Sequence, residues 1–376
     1  MCAEGVNGAP STIMIRAIKR HHRLLQLVGC LAALQLVVYI WWRTKPATGD
    51  KQPDPADVTQ SSVHDGDSAA AVALHVDDSP ARNATIPRII HLVYDSYDMP
   101  APFQAWIHSL ARQHRSWQFW VWRLNDTLCL LSKRFNGSYV STYQSYSHNV
   151  FRADAIRYFV LYEFGGFYID LDVEALRPLD IWTVGHDCIV THENYEHTYL
   201  VHHKRAPNIM TTVLAARPKH PLYKLLCENL EQYRRVYPRS VLHATGPFYL
   251  NTIYRQYLKT TTTTGAVTRA ASSHAAADVT VLHPRYWLPR WDPTITRRLK
   301  ASCRQRFQLL TDHGRMVCRQ LEATHYRNSI HRDSFLDHKW AHMGSWTKST
   351  VTSLKTFDVY DVIPWAQSAH KLLNCD

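Results

Sequence analysis

Residues 151–174 read FRADAIRYFVLYEFGGFYIDLDVE, and this stretch decides the fold. Up to Phe164 the apolar residues lie on several faces, which predicts a mostly buried helix. The glycine pair 165–166 predicts the end of that helix, because glycine tolerates the left-handed backbone that terminates helices. From residue 167 to residue 174 the apolar period changes to two, which predicts a strand.

Two aspartates lie on the polar face of this predicted strand. Asp170 and Asp172 are two residues apart, so their Cα atoms are expected roughly 6.6 Å apart with both side chains on one side. Carboxylates at this spacing suit a single hard divalent cation and the phosphates that it carries. On the preceding helix, Asp154 and Arg157 have i, i+3 spacing and share one face. The segment therefore predicts an acidic cation site after a helix that bears an ion pair.

The segment resembles the sugar-binding region of the DxD glycosyltransferases, which has the form R-x-D-x-x-R-Y-x-x-L-Y-x-x-G-G-x-Y-x-D-x-D. That family includes fungal α-1,6-mannosyltransferases, mannosyl-inositolphosphoceramide synthases, and animal α-1,4-galactosyl- and α-1,4-N-acetylglucosaminyltransferases. The run from Arg152 to Tyr162 looks closest to the inositolphosphoceramide mannosyltransferases. The strand pattern that begins at Ile86 and the triplet Thr245-Gly-Pro also resemble family segments.

The resemblance implies an α/β catalytic domain of the GT-A type, a Rossmann-like nucleotide-binding fold that performs retaining transfer from a nucleotide sugar. It implies that Asp170 and Asp172 bind Mn²⁺ or Mg²⁺, the hard cations that carboxylate oxygens prefer. Asp154 and Arg157 would contact the sugar and ribose hydroxyls of the donor; a structural ion pair is the alternative. These four residues are the expected catalytic residues. Arg152 either contacts a donor phosphate or stabilises the fold.

Residues 338–346 resemble the closing motif of the same family, with Gly-Ser-Trp where many relatives have Gly-Ser-Ser-Trp. By that resemblance His342 ligates the metal, Ser345 and Trp346 contact the diphosphate of the donor, and the segment forms a mobile flap. His338 and His342 also have the i, i+4 spacing of a zinc-binding helix, although the sequence offers no adjacent third ligand.

The 376 residues divide into four predicted regions. Residues 1–23 form a basic cytosolic tail, Leu24–Trp42 a transmembrane anchor about long enough to span a bilayer, residues 43–85 a flexible lumenal stem, and residues 86–376 the catalytic domain. The basic flank places the tail in the cytosol. A cleaved signal peptide is the alternative, but the apolar run is long and lacks a small-residue cleavage site. We expect a single-pass type II protein of the Golgi membrane with a lumenal catalytic domain.

Strand and helix patterns alternate along the rest of the chain, which indicates an α/β fold. Strands are expected at 86–94, 117–122, 188–192 and 200–202, and helices at 105–114, 127–134, 207–216 and 221–235. The Thr- and Ala-rich residues 260–277 predict a surface loop.

The formal net charge of +12 raises the question of an anionic partner. No signature of a nucleic-acid-binding fold is present, and a membrane anchor argues against nucleic acid. A nucleotide diphosphate sugar and an acidic lipid headgroup both fit the charge. General basicity of a secretory-pathway protein is the alternative.

Six cysteines fall on the predicted lumenal side, where an even number allows disulfides. They are Cys129, Cys188, Cys227, Cys303, Cys318 and Cys375. Cys303 and Cys318 are the expected pair because they are close in sequence, and the remaining connectivity stays open.

The expected activity is metal-dependent transfer of a hexose to a glycolipid resembling inositolphosphoceramide, or to another glycan. The resemblance favours mannose from GDP-mannose as the donor. The single anchor and stem look more like animal α-1,4-glycosyltransferases, so a UDP-sugar is the alternative donor. A catalytically inactive relative, serving as a partner subunit or a lectin, is a further alternative. The intact set of Asp154, Arg157, Asp170 and Asp172 argues against it.

The predicted topology can be tested by glycosylation. Asn83, Asn125 and Asn136 begin N-x-Ser/Thr sequons on the predicted lumenal side, so we expect the protein made in cells to carry N-glycans. Digestion with a peptide N-glycosidase should increase its gel mobility. Unchanged mobility, with all three sequons intact, would contradict the predicted orientation.

Overall fold

The computed structural model describes residues 86–263, 279–342 and 354–375. Outside them lie the predicted tail, anchor and stem, together with Asn83, Ser345 and Trp346. Among the described residues, no helix has both the length and the apolar character needed to cross a membrane.

Strands and helices alternate along the described chain. The strands are β1 (Ile89–Tyr94), β2 (Asp98–Pro100), β3 (Gln118–Arg123), β4 (Gly166–Ile169), β5 (Val173–Ala175), β6 (Cys188–His192), β7 (Ile209–Ala216), β8 (Val279–Leu282), β9 (Leu336–His338), β10 (Thr356–Asp358) and β11 (Gln367–Ser368). The helices are α1 (Gln104–Gln113), α2 (Asp126–Arg134), α3 (Gly137–Gln144), α4 (Asn149–Phe164), α5 (Pro221–Val236), α6 (Val241–Ala244), α7 (Pro247–Thr263), α8 (Pro284–Trp287), α9 (Thr296–Gln305), α10 (Asp312–Ala323), α11 (Val359–Val362) and α12 (Ala369–Leu372). Short 3₁₀ turns span Ala101–Phe103, Asp180–Trp182, Pro293–Ile295 and Phe307–Leu309, and a π turn spans Glu196–Val201.

The central sheet has seven strands in the order β11-β3-β1-β4-β7-β6-β8. β1 pairs in parallel with both β3 and β4, whereas β7 runs antiparallel to both β4 and β6. Two small antiparallel pairs, β2 with β10 and β5 with β9, lie beside it. The predicted α/β class is confirmed, with a mixed sheet.

Apolar cores cover both faces of the sheet, which explains why its central strands are apolar on both sides. On one face, Tyr168 and Leu214 pack against helices α4, α5 and α7. On the other face, Phe167 and Val213 pack with α1 and α8. A smaller cluster joins α9 and α10 to the π turn.

The junction between α4 and β4 depends on glycine. Gly165 has φ +66°, and a Cβ there would lie 2.7 Å from the carbonyl oxygen of Ala216. The buried His91 ring holds this junction: its Nδ1 accepts from Trp122 Nε1 (3.0 Å), which leaves Nε2 to donate to the Gly165 oxygen (2.8 Å). Burial lowers the pKa of His91 to about 4, so the ring is neutral, as this arrangement requires. The predicted helix end is confirmed.

The predicted strand over residues 167–174 is wrong in its length. β4 ends at Ile169, Asp170–Asp172 form a turn, and a new strand begins at Val173. The Val173 N–H donates to the Asp170 oxygen at 3.2 Å, which closes this turn. The apolar alternation persists because Leu171 and Val173 are still buried, so the sequence pattern hides the break.

The helix predicted at residues 207–216 is also wrong, because this segment is the strand β7. β7 lies between β4 and β6 and is buried along almost its whole length. A strand that is apolar on both faces loses its period of two, so a short apolar run does not distinguish helix from strand. Likewise, residues 200–202, predicted as a strand, belong to the π turn and its C-terminal end.

Two disulfides link the described cysteines. The predicted pair Cys303–Cys318 is confirmed. A second bond joins Cys129 in α2 to Cys375, across a sequence separation of 246 residues. Cys188 and Cys227 are buried and form no disulfide within the described residues.

We expect Cys375→Ser to lower the free energy of unfolding by about 2–5 kcal/mol, because the bond closes a long loop in the unfolded chain. Chemical denaturation of the wild type and the variant measures this difference. Peptide mapping without reduction should recover both crosslinked pairs, and thiol alkylation after denaturation should modify Cys188 and Cys227 but neither member of a crosslinked pair. Equal stability of the two proteins would contradict the expected contribution.

Candidate active site

Three potential metal ligands converge at the carboxyl end of β4. Asp170 and Asp172 lie in the turn after this strand, and the antiparallel pairing of β5 with β9 places Val173 opposite His338. One ligand atom from each of Asp170, Asp172 and His338 lies within 4.8 Å of the other two. The structure thus brings the two predicted aspartates together and adds a histidine 166 residues away in sequence.

Two side chains hold Asp170, one with a neutral hydroxyl group and one with a positive charge. The Tyr168 hydroxyl donates to its Oδ1 at 2.6 Å, and Arg157 Nη2 lies 3.8 Å from the same oxygen. Burial raises the pKa of Asp170 to about 6; Asp172 adds to the rise and Arg157 opposes it. Without a further cation, ionisation of Asp170 is therefore less favourable in the folded protein than in the unfolded chain.

Asp172 has the opposite balance. Burial alone would raise its pKa, but His338 and the Ala341 N–H outweigh burial and lower the pKa. Its Oδ2 accepts from the Ala341 N–H at 2.8 Å and lies 3.1 Å from His338 Nε2. The other ring nitrogen of His338 is buried without a hydrogen-bond partner among the described residues.

Asp154 and Arg157 form the ion pair that their spacing predicts; Arg157 is buried and lies next to Asp170, and Asp154 is only slightly exposed. Arg157 Nη1 also donates to the Thr211 oxygen at 2.9 Å, and its guanidinium lies 4.6 Å from the centre of the Tyr168 ring. Asp154 accepts from the Thr245 hydroxyl at 3.2 Å. The pair joins α4 to β7 and to Thr245, the residue directly after α6, so it positions the floor of the site.

Arg152 lies at the other end of the predicted motif. Its guanidinium donates to the Tyr146 oxygen at 2.7 Å, to the Gln144 oxygen at 3.2 Å and to Asn149 Oδ1 at 2.9 Å. These contacts match the fold-stabilising alternative. Arg152 also borders a cavity of about 440 Å³ beside the carboxyl end of β1. The residues lining it are Asp95, Leu124, Asn125, Leu128, Tyr143, Gln144, Asn149 and Arg152.

A buried carboxylate fixes the strand that carries His338. Asp337 is fully buried and accepts from Arg290 Nε at 2.8 Å and from Lys339 Nζ at 2.6 Å. Lys339 also pairs with Glu174 on β5. These contacts hold β9 against β5, so they orient His338 toward Asp172.

His342, the predicted metal ligand, lies apart from the carboxylate cluster in this structure. Its Nε2 is 2.9 Å from Asp292 Oδ2, and its side chain is 45% exposed. Residues 339–342 form no helix, and both Trp340 and His342 have positive φ angles. The zinc alternative, which requires a helical pair of histidines, therefore loses its premise. The predicted contacts of Ser345 and Trp346 lie outside the described residues, and the role of His342 stays a prediction.

A second polar cluster lies on the π turn. Glu193 Oε1 is 3.2 Å from His202 Nε2 and 3.8 Å from His197 Nδ1. The N–H of Asp292 donates to His197 Nε2 at 3.1 Å, and burial lowers the pKa of His197 to about 4. Neutral His197 must therefore carry its proton on Nδ1, which points at Glu193 and has no lone pair to offer a metal. This cluster is a buried carboxylate with hydrogen-bonded histidines.

Trp340 joins the two clusters. Its ring stacks on His197 at 4.6 Å and lies 4.3 Å from the His338 ring. The indole N–H donates to the Arg290 oxygen at 3.0 Å. Glu193, His197 and Trp340 could not be predicted from the sequence, because their partners are distant in sequence and no motif marks them.

Comparison with known proteins identifies part of the chain. Residues 100–195 match the protein family described as "Glycosyltransferase sugar-binding region containing DXD motif". This stretch is a DXD-type glycosyltransferase region. It contains the Asp154–Arg157 pair and both aspartates of the candidate metal cluster, whereas His338 lies beyond it.

Curated relatives extend the likeness beyond the sugar-binding region. Inositol phosphoceramide mannosyltransferase 1 of Schizosaccharomyces pombe is 27% identical over 217 residues, which cover 56% of this chain and 61% of the relative. A mannosyl phosphorylinositol ceramide synthase of Saccharomyces cerevisiae is 26% identical over 184 residues, covering 48% of this chain and 44% of the relative. The chain thus spans about half the length of the curated relatives that it matches.

Solved structures give weaker likenesses. Mouse xyloside xylosyltransferase 1 is 12% identical, with 68% of this chain and 98% of that chain covered and a TM-score of 0.37. The galactosyltransferase LgtC is 12% identical, with 74% and 94% covered and a TM-score of 0.30. Both scores are low, so the description of the fold rests on the sheet of this chain.

The two aspartates should respond differently to neutralisation in the absence of metal. The pKa of Asp170 is raised on folding, so its ionisation destabilises the fold increasingly as pH rises from about 4 to about 6. Asp170→Asn should therefore melt at or above the wild-type temperature near neutral pH, and the difference should vanish near pH 4.

The pKa of Asp172 is lowered on folding, so its charge stabilises the protein above the unfolded pKa. Asp172→Asn should therefore lower the melting temperature near neutral pH. Thermal denaturation of the full chain in a chelator tests both variants, with each serving as the control for the other. The reverse order of stabilities would contradict the assigned electrostatics.

Proposed function

We propose that this chain is a metal-dependent retaining glycosyltransferase with a GT-A nucleotide-binding fold. The observation that carries the proposal is the convergence of Asp170, Asp172 and His338 at the carboxyl end of β4, with both aspartates inside the matched sugar-binding region. The buried pair Asp154–Arg157 beneath them supplies the rigid support that a reaction centre needs.

The position in the sheet supports a nucleotide site. The chain leaves β1 toward β3 on one side and returns to β4 on the other, so the strand order reverses at β1. Open α/β sheets bind ligands at the carboxyl ends of strands where this reversal occurs. The cavity of about 440 Å³ lies there, beside Asp95 and Asn149, and we assign it to the nucleoside of the donor.

The three metal ligands fit Mn²⁺ or Mg²⁺. Asp170 and Asp172 offer carboxylate oxygens and His338 offers a ring nitrogen, a combination that suits Mn²⁺ and disfavours soft metals. A cation bound here would act as a Lewis acid on the diphosphate leaving group. It would also stabilise the ionised Asp170 carboxylate, whose pKa is raised by burial and by Asp172.

The remaining residues of the site orient these ligands. Tyr168 and Arg157 fix the Asp170 carboxylate from below, and the Ala341 N–H fixes Asp172. Asp154 is only slightly exposed and accepts a hydrogen bond from the Thr245 hydroxyl, so it is part of the floor of the site. We propose that Asp154 and Arg157 act mainly by positioning this floor, with donor hydroxyls bound at its exposed edge.

The substrates are proposed from the relatives. The names of these relatives describe transfer of mannose to inositol phosphoceramide, which favours GDP-mannose as the donor and an inositol phosphoceramide-like glycolipid as the acceptor. A UDP-sugar is the alternative donor, because the predicted single anchor and stem look like those of animal α-1,4-glycosyltransferases. We also propose the Golgi membrane as the location, with the catalytic domain in the lumen, from the pattern around Leu24–Trp42.

A donor panel tests the proposal most directly. The full chain in detergent should hydrolyse or transfer from one of a set of GDP- and UDP-sugars, GDP-mannose first, only when Mn²⁺ or Mg²⁺ is added. Asp170→Asn should lower this rate about 100-fold or more, equivalent to about 2.7 kcal/mol of transition-state stabilisation. Donor binding without turnover by the wild type would favour the inactive subunit or lectin.

The two histidines can be separated in the same assay. His338→Ala should raise the Mn²⁺ concentration needed for half-maximal rate, because the imidazole lies 3.1 Å from Asp172. His342→Ala is the matched control, because the described structure pairs His342 with Asp292. An unchanged Mn²⁺ dependence in His338→Ala with a large change in His342→Ala would assign the ligand role to His342, as the sequence resemblance implies.

A further inference from the structure

A large share of the net positive charge lies on one surface element, a helical hairpin formed by α9, the turn after it and α10. This basic hairpin, residues 296–323, contains seven Lys or Arg and two Asp or Glu, which gives +5 of the +12 of the whole chain. Arg297, Arg304 and Arg319 are exposed and lie in no ion pair with another described residue. The hairpin therefore presents uncompensated charge to solvent.

The hairpin has one buried side and one exposed side. Leu299, Cys303, Val317 and Leu321 pack against the π turn, and the disulfide Cys303–Cys318 ties the two helices together. Arg297 and Arg304 lie on the opposite face of α9, at i and i+7, and Met316 and Arg319 lie on the opposite face of α10. Both outward faces therefore point away from the body of the domain.

Exposed apolar side chains lie on the same hairpin as these basic residues. Leu309, in the turn between the helices, is 79% exposed, and Met316 is 48% exposed. Arg304 and Arg306 shortly precede Leu309 in the sequence, Arg319 shortly follows Met316, and all three arginines are exposed. Exposed apolar residues with arginines nearby are typical of segments that lie in a membrane interface. There the apolar groups enter the boundary of the acyl chains and the cations contact the headgroups.

We propose that the basic hairpin docks on an anionic lipid surface, with Leu309 entering the boundary between headgroups and acyl chains. Each Lys or Arg close to such a surface adds to the attraction, and the exposed leucine adds apolar burial. A nucleic acid would use the arginines but would leave Leu309 in water, so lipid accounts for more of the surface.

The hairpin is also connected to the site. It packs on Tyr199, Leu200 and Val201 of the π turn, and His197 in the same turn stacks on Trp340 beside His338. Docking would therefore hold the candidate active site close to the lipid surface. The proposal does not depend on the proposed glycosyl transfer, because lipid binding is measured without substrate.

The test uses the full chain reconstituted in vesicles, with an environment-sensitive fluorophore on Leu309→Cys. Cys2 and Cys30 are replaced by Ser, and Cys188 and Cys227 are buried. Ile181→Cys, at a position that is 51% exposed in another part of the fold, is the control label. The apolar run Leu24–Trp42 is present in every sample, so any tethering that it provides is constant.

In vesicles containing phosphatidylinositol, emission from position 309 should shift to shorter wavelength and be quenched by lipid-borne quenchers. Neither change should occur at position 181 or in neutral phosphatidylcholine vesicles. Arg297→Gln, Arg304→Gln and Arg319→Gln together should abolish the shift. The matched control triple, Arg112→Gln, Arg115→Gln and Arg134→Gln, removes the same charge from exposed positions on α1, on the turn after it and on α2, and should retain the shift.

Three results with lipid alone would overturn the proposal. They are no quenching at position 309 in anionic vesicles, equal quenching in neutral vesicles, and a shift that survives the substitution of Arg297, Arg304 and Arg319. A shift that requires added oligonucleotide instead of lipid would assign the surface to nucleic acid and would also overturn it. Circular dichroism of each variant checks that the fold is retained.

Discussion

The pairing of β9 with β5 is the contact on which the candidate site depends. It is only three residues long, yet it brings His338 and the Ala341 N–H to Asp172. Asp337, the middle residue of β9, is fully buried and accepts hydrogen bonds from Arg290 and Lys339. Removing one partner of such a buried group is costly, so this short ladder is fixed more firmly than its length suggests.

Charge at the site is arranged in layers. Arg157 lies deepest, paired with Asp154, and it faces Asp170 from below. Asp170 and Asp172 lie above it, and His338 lies beside Asp172. The lower layer, Arg157 with Asp154, is nearly neutral. The upper layer holds two carboxylates and one histidine, and Arg157 is already paired with Asp154. The upper layer is thus the part of the site that gains most from an added cation, because burial strengthens the repulsion between the aspartates.

What the sequence predicted correctly is local. The helix that ends at Phe164, its glycine stop and the closeness of Asp170 to Asp172 each follow from neighbouring residues, as does the disulfide between Cys303 and Cys318. The exact backbone between the aspartates was not predictable, since the turn keeps the alternation of buried residues that a strand would have.

What the sequence did not predict depends on distant contacts. β7 was mistaken for a helix because its two neighbours in the sheet, which bury both its faces, cannot be read from an eight-residue apolar run. His338 reaches Asp172 across 166 residues, and Cys129 reaches Cys375 across 246. The π turn likewise owes its polar cluster to Asn208 and Asp292, which approach it from elsewhere in the chain.

The bond between Cys129 and Cys375 has a consequence for the order of biosynthesis. The two cysteines are 246 residues apart in the sequence, so the ribosome adds the second about 12–50 s after the first at typical rates of translation. During that interval Cys129 has only wrong partners available, among them Cys188 and Cys227. Both of these thiols are buried in the finished protein, Cys227 where α5 packs on α4. Early docking of these helices would hide the competing Cys227 thiol, so the pace at which the core closes helps decide which crosslink the chain finally makes.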